Sequence, residues 1–280
     1  MEWTLFAANL AHVGLAWAVL ALLLAALHLQ ERAASRYLAH RLGWRAVLVT
    51  GWLGVPLHEL SHLVAARLFG HRIIAWKLFD PDPVSGTLGY VRHAYARRSS
   101  WQLAGQAVVA VAPVVGGALA LAALLLWMVP AARLAELWNG HVATLAAVEP
   151  PAIADHWLQL GAALLAAGRE LLAAIWQHRT PWLPLQIYAG VAVACHLAPS
   201  RGDFASAVVP ALLLVGGSGL AALGGALAGV SLAPLVAMAT LPLLALLPLV
   251  ALFQGGYVAV VALIAWGQRR KGPRLRVAVR

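Results

Sequence analysis

His58-Glu59-Leu60-Ser61-His62 is the segment of this chain whose residue types and spacing carry chemistry. On a helix, positions i and i+4 share a face, so His58 and His62 can offer two imidazole nitrogens to one metal ion. Glu59 lies about 100° further round the helix, within reach of a water beside that metal but outside the ligand pair. The pattern is the His-Glu-x-x-His arrangement of zinc hydrolases, in which two ligands and a general base sit on one helix. Zn²⁺ brings water toward ionisation at neutral pH, and the carboxylate takes the proton. The competing reading is a pair of capped or pore-lining histidines with no catalytic role. Ionisable groups at bilayer depth are costly, which favours the functional reading.

The elements that must position this segment are those of a membrane protein. Of 280 residues, 62% are hydrophobic and 11% charged, and mean hydropathy is +0.81. A soluble domain of this size has no interior large enough for that much apolar surface. The apolar runs are rich in Leu, Ala and Val and lack the alternating segments of a barrel, so the expected class is all-α and polytopic. The formal charge of +10 does not call for nucleic acid, because most Lys and Arg lie between spans or in the tail, where they face headgroups. Cys195 is the single cysteine, so no intramolecular disulfide and no Cys-x-x-Cys site can form.

About six spans are expected, in one integral membrane domain covering 1–280. The first covers 3–28, a retained anchor because its leader holds Glu2 and no basic residue. Arg32, Arg36, Arg41 and Arg45 then mark a polar connection. The second span, 44–69, carries the metal motif; Pro56 removes a backbone donor and loosens the turn before it, while Gly51 and Gly54 permit close helix approach. A membrane-associated β-hairpin is expected at 73–91, with strands from Ile73 to Phe79 and from Thr87 to Val91 around the turn at Asp80–Gly86. The third span, 101–127, carries a small-residue stripe at Ala112, Gly116 and Ala120. An acidic loop is expected at 130–155 and an interfacial amphipathic helix at 152–177. A short span at 182–199 and two in 205–266, divided near 231, complete the set, followed by a basic tail at 267–280. The positive-inside rule places both termini in the cytoplasm of a bacterial-type cell membrane, at the expense of Arg32–Arg45 lying outside.

A catalytic zinc needs three protein ligands and one open position, and the motif supplies two. His196 and Asp203 are the candidates for the third. Asp203 is isolated in more than a hundred residues of mostly apolar chain, and its partner is either a metal or Arg201.

The residues between about 44 and 210 resemble the site-2 protease-like family of intramembrane zinc metalloproteases. The resemblance rests on His58-Glu59-Leu60-Ser61-His62 inside a span, on Ala112-Pro113-Val114-Val115-Gly116 after the hairpin, and on Asp203 near the end of a later helix. The sequence departs from that family where His196 replaces an Asn, where the spacing to Asp203 is one residue short, where Phe204 follows Asp203 in place of Gly, and where Gly116 stands for a polar residue. The resemblance implies Zn²⁺ held by His58, His62 and Asp203, Glu59 as base, and hydrolysis of a transmembrane or membrane-associated protein substrate. It also implies substrate contacts at Gly116, at His196 and along the hairpin at Trp76 and Leu88, where an unwound segment can add as a strand. Two other classes remain open, a metal transporter or sensor with the same ligands and an inactive scaffold. No internal repeat supports the first, and the intact Glu59 speaks against the second.

Overall fold

The structure is a computed structural model that describes residues 3–146 and 157–270. In chain order the elements are α1 Trp3–Leu42, α2 Trp44–Leu68, β1 Arg72–Lys77, β2 Tyr90–Ala94, α3 Ser100–Met128, α4 Ala131–Ala146, α5 Trp157–Gln177, α6 Leu183–Ala194, α7 Arg201–Leu227 and α8 Ala233–Arg270. The class is helical with one small sheet, as expected. Among the described residues, three helices are long and apolar enough to cross a membrane: Trp3–Tyr37, Ser100–Met128 and Gly202–Leu227. The break between α7 and α8 falls at 228–232, where Gly229 takes a positive φ of 67°.

Three sequence expectations change. The polar connection after residue 28 is helix: α1 runs unbroken through Arg32 and Arg36 to Leu42 and turns only at Gly43, whose φ is 84°. Gln30 to Ala34 are all good helix formers, and Ala34 packs with Cys195, Tyr257 and Val261 in a buried cluster, so packing carries the helix past its charges. The acidic loop at 130–155 begins as a helix, α4. Arg133 pairs with Glu136 at 2.9 Å one turn on, while Leu134 and Leu137 pack on the main core. The return strand lies three residues later than expected, at Tyr90–Ala94, because β1 ends at Lys77 and the connection occupies 78–89; Ile74 separately bulges out of β1 between the pairs Ile73/His93 and Ala75/Arg92. The expected 152–177 helix appears as α5, whose Leu171, Ala174 and Ile175 are buried in the core. Residues 152–156 and most of the basic tail lie outside the described residues.

The main core is a helix-to-helix seam of Leu121, Leu125, Leu171, Val193, Leu197 and Phe253. A second cluster, Ala65, Ala66, Val109 and Ala112, lets α2 and α3 approach closely. The hairpin leans on this frame. Asp80 N–H donates to the Leu88 carbonyl at 2.7 Å, and Asp82 caps the turn by accepting from Val84 N–H at 2.9 Å. Hydrogen bonds from Ser85 and Val84 hold the Asp82 carboxyl below its ordinary range, which keeps that cap charged.

Candidate metal centre

α2 carries His58 and His62 on one face, and the first turn of α7 brings Asp203 to them. Asp203 is fixed there by a capping box. Ser200 N–H donates to its Oδ2 at 2.7 Å, and its own N–H donates to Ser200 Oγ at 3.3 Å. Its Oδ1 lies 3.3 Å from His62 Nε2, and its Oδ2 lies 3.8 Å from His58 Nε2. The Arg201 side chain, the alternative partner, lies outside the described residues.

Backbone carbonyls orient both rings. His58 Nδ1–H donates to the His196 carbonyl at 2.7 Å, and His62 Nδ1–H donates to the Val109 carbonyl at 2.8 Å. A carbonyl can only accept, so each Nδ1 carries a ring proton, and in a neutral ring that leaves Nε2 to present a lone pair. Those two Nε2 atoms lie 3.1 Å apart, with a carboxylate beside them. Three acceptors facing one another repel unless a cation sits among them, so His58, His62 and Asp203 can hold a metal ion. The spacing fits: ligands about 2.0–2.1 Å from a tetrahedral ion lie about 3.3 Å from one another.

Glu59 is buried beside this group without belonging to it, and it lines the same cavity of about 550 Å³. The hairpin supplies the facing wall. Gly89 is required there: a Cβ would lie 2.7 Å from the Leu78 carbonyl oxygen and 3.0 Å from Glu59 Cγ, so any side chain would push β2 off the carboxylate. His93 also lines the cavity, and its Nδ1 lies 3.1 Å from Nδ1 of the stacked His71. Burial, with His71 beside it, holds His93 below the ordinary imidazole range, so it stays neutral at pH 7.

The other residues expected at the site are placed differently. His196 turns its side chain to Thr50, with Nε2 3.2 Å from Thr50 Oγ1, and serves His58 through its backbone carbonyl. His196→Asn should therefore leave metal stoichiometry unchanged, measured by elemental analysis of the purified protein; loss of the metal would make the imidazole itself a ligand. Gly116 packs against Ser61, whose Oγ a Cβ would overlap, and it is not among the cavity-lining residues. Trp76 is half-exposed on β1 opposite Val91. Leu88 precedes β2 and rests its side chain near Gly51.

Sequence reasoning missed Gln106 and Ser206. Gln106 was readable in principle, as a lone polar residue in an apolar helix. Gly54 permits the close helix approach expected of it, and the partner is α6. A methyl there would overlap the Ala192 carbonyl oxygen and lie 2.7 Å from His196 Cδ2. Gly54→Ala should destabilise the protein by roughly 1–3 kcal/mol and weaken metal binding, because the His196 carbonyl that orients His58 must move. Thermal unfolding with and without metal checks both effects; an unchanged midpoint would contradict the close packing of α2 on α6. Compared with family models, curated proteins and solved structures, the chain has no match.

Proposed function

We propose that this chain is an intramembrane zinc endopeptidase of the kind found in the site-2 protease-like family, acting on peptide bonds of membrane-embedded or membrane-adjacent proteins. The observation that carries the reading is that a three-ligand group, a buried carboxylate outside it and a free strand edge share one cavity. Residues 89–93 line that cavity without interruption. A strand's face would contribute alternate residues, so a continuous run means that its edge is turned to the site. Among the described residues β2 pairs only with β1, so this edge can receive an unwound segment as a third strand.

His58, His62 and Asp203 would hold the ion, leaving a position for water or substrate. Zinc bound there supplies Lewis acidity, polarising the scissile carbonyl and making water nucleophilic near neutral pH. Glu59 accepts the proton of the attacking water and passes it to the leaving amine. The strand edge holds the segment extended, since a helical substrate keeps its carbonyls in its own hydrogen bonds. In this reading the chain crosses the bilayer about six times with both termini cytoplasmic, and α2 brings the site to membrane depth.

The test is cleavage of a single-span peptide by the purified protein in proteoliposomes. Chelation should abolish turnover, and one equivalent of Zn²⁺ per chain should restore it. Protein that holds zinc and cleaves no such peptide would instead be a non-proteolytic metal protein, the rival reading.

A further inference from the structure

Gln106 lies on α3 in the wall of the same cavity, and only 3% of it is exposed. Its amide nitrogen donates to Ser206 Oγ at 2.9 Å. That hydroxyl directs its own proton to the Asp203 carbonyl at 2.9 Å, so the group it meets on Gln106 must be a donor. The amide orientation is thereby fixed, and Oε1 is left buried with no hydrogen-bond partner among the described residues. Native structures leave few such acceptors, because an unpaired buried oxygen has lost its water without compensation.

The chemistry that answers a carbonyl oxygen is an N–H or O–H donor. A strand added to the β2 edge directs half of its backbone groups toward β2 and the other half away. The groups turned away would be buried and unpaired against α3, where Val109 and Ala110 offer no acceptor from their side chains. We propose that Gln106 Oε1 accepts a hydrogen bond from a backbone N–H of the bound extended peptide, on the side turned away from β2. This rests on the peptidase reading and names its substrate contact: a chain in strand conformation, gripped between a strand edge and one side-chain amide. A proline is excluded at the contacted position, because it has no N–H.

The probe is a synthetic single-span Leu/Ala peptide with a central Asn-Gly pair, fluorescently labelled, in dodecyl maltoside micelles. Binding is measured by anisotropy to zinc-loaded Glu59→Gln, with and without Gln106→Met, using peptides in which single backbone amides are replaced by esters. Gln106→Met should raise Kd ~3- to 10-fold, and an ester at one position should weaken binding by a similar factor when Gln106 is present and have no such effect in Gln106→Met. Equal Kd for both proteins, an ester profile that Gln106→Met leaves unaltered, or no binding at all would overturn the contact. Should Gln106→Met fail to fold, Ser206→Ala unties the amide without removing it, and the same scan applies: a reduced penalty at that position supports the contact and an unchanged profile overturns it. The peptidase reading is judged separately, by incubating the same peptide with protein that retains Glu59. Hydrolysis with Gln106-independent binding removes only this contact, whereas Gln106-dependent binding without hydrolysis removes only the peptidase reading.

Discussion

Glu59→Gln should reduce turnover of a single-span peptide by about a thousandfold or more while the protein keeps its metal. The magnitude is at the upper end of what one positioned proton-transfer group contributes. Metal retention follows from the geometry, since the converging atoms belong to His58, His62 and Asp203 and not to Glu59. Glutamine has nearly the same volume, so the contact with Gly89, where Glu59 Cγ lies 3.0 Å from the place of a Cβ, is preserved. Elemental analysis beside a reconstituted cleavage assay reads both quantities. Wild-type turnover would remove the base assignment. Loss of metal together with activity would place the carboxylate in the ligand set instead.

The metal group was largely legible in the sequence because its signals are local or chemically isolated. His58 and His62 are one helical turn apart, and helix geometry alone puts them on one face. Asp203 stood out as an acidic residue with no nearby neighbour of its own kind, and the structure adds the reason it can be held in place, a Ser200 capping box that fixes its carboxylate. What local pattern does not carry is the orientation of the rings. The carbonyls of His196 and Val109 that set the His58 and His62 tautomers belong to elements distant in sequence, and any residue type supplies a carbonyl. For the same reason His196 drew notice for its imidazole, whereas its backbone makes the contact. The hairpin was readable from its turn residues but its register was not, because the connection is longer than the turn residues suggest and a bulge at Ile74 shifts the pairing by one residue without leaving a composition signal. The helical stretches at 29–42 and 131–146 were read as connections on the strength of their charges. Tertiary packing at Ala34 and Leu137 overrides that signal.

Asp203→Asn should lower zinc affinity by at least a hundredfold, beyond the 10- to 100-fold typical of losing a group that only supports a ligand. The substitution removes the anionic charge that offsets the ion and weakens the donor atom, while keeping side-chain shape. It also forces a choice. In the wild type Oδ2 accepts from Ser200 N–H at 2.7 Å while Oδ1 lies 3.3 Å from His62 Nε2, so the two oxygens have separate duties. An amide has one carbonyl oxygen, which can serve the cap or the metal but not both, and its NH₂ turned toward the imidazole lone pairs would compete with the ion. Ser200→Ala separates the two duties. It removes the hydroxyl that receives Asp203 N–H at 3.3 Å but leaves the carboxylate, so it should cost about 1 kcal/mol of stability with zinc retained. Competition titration against a chelator of known affinity measures the metal, and thermal unfolding measures the cap. Zinc bound as tightly by Asp203→Asn as by the wild type would mean that the carboxylate only caps α7, and the third ligand of His58 and His62 would have to be sought elsewhere in the cavity.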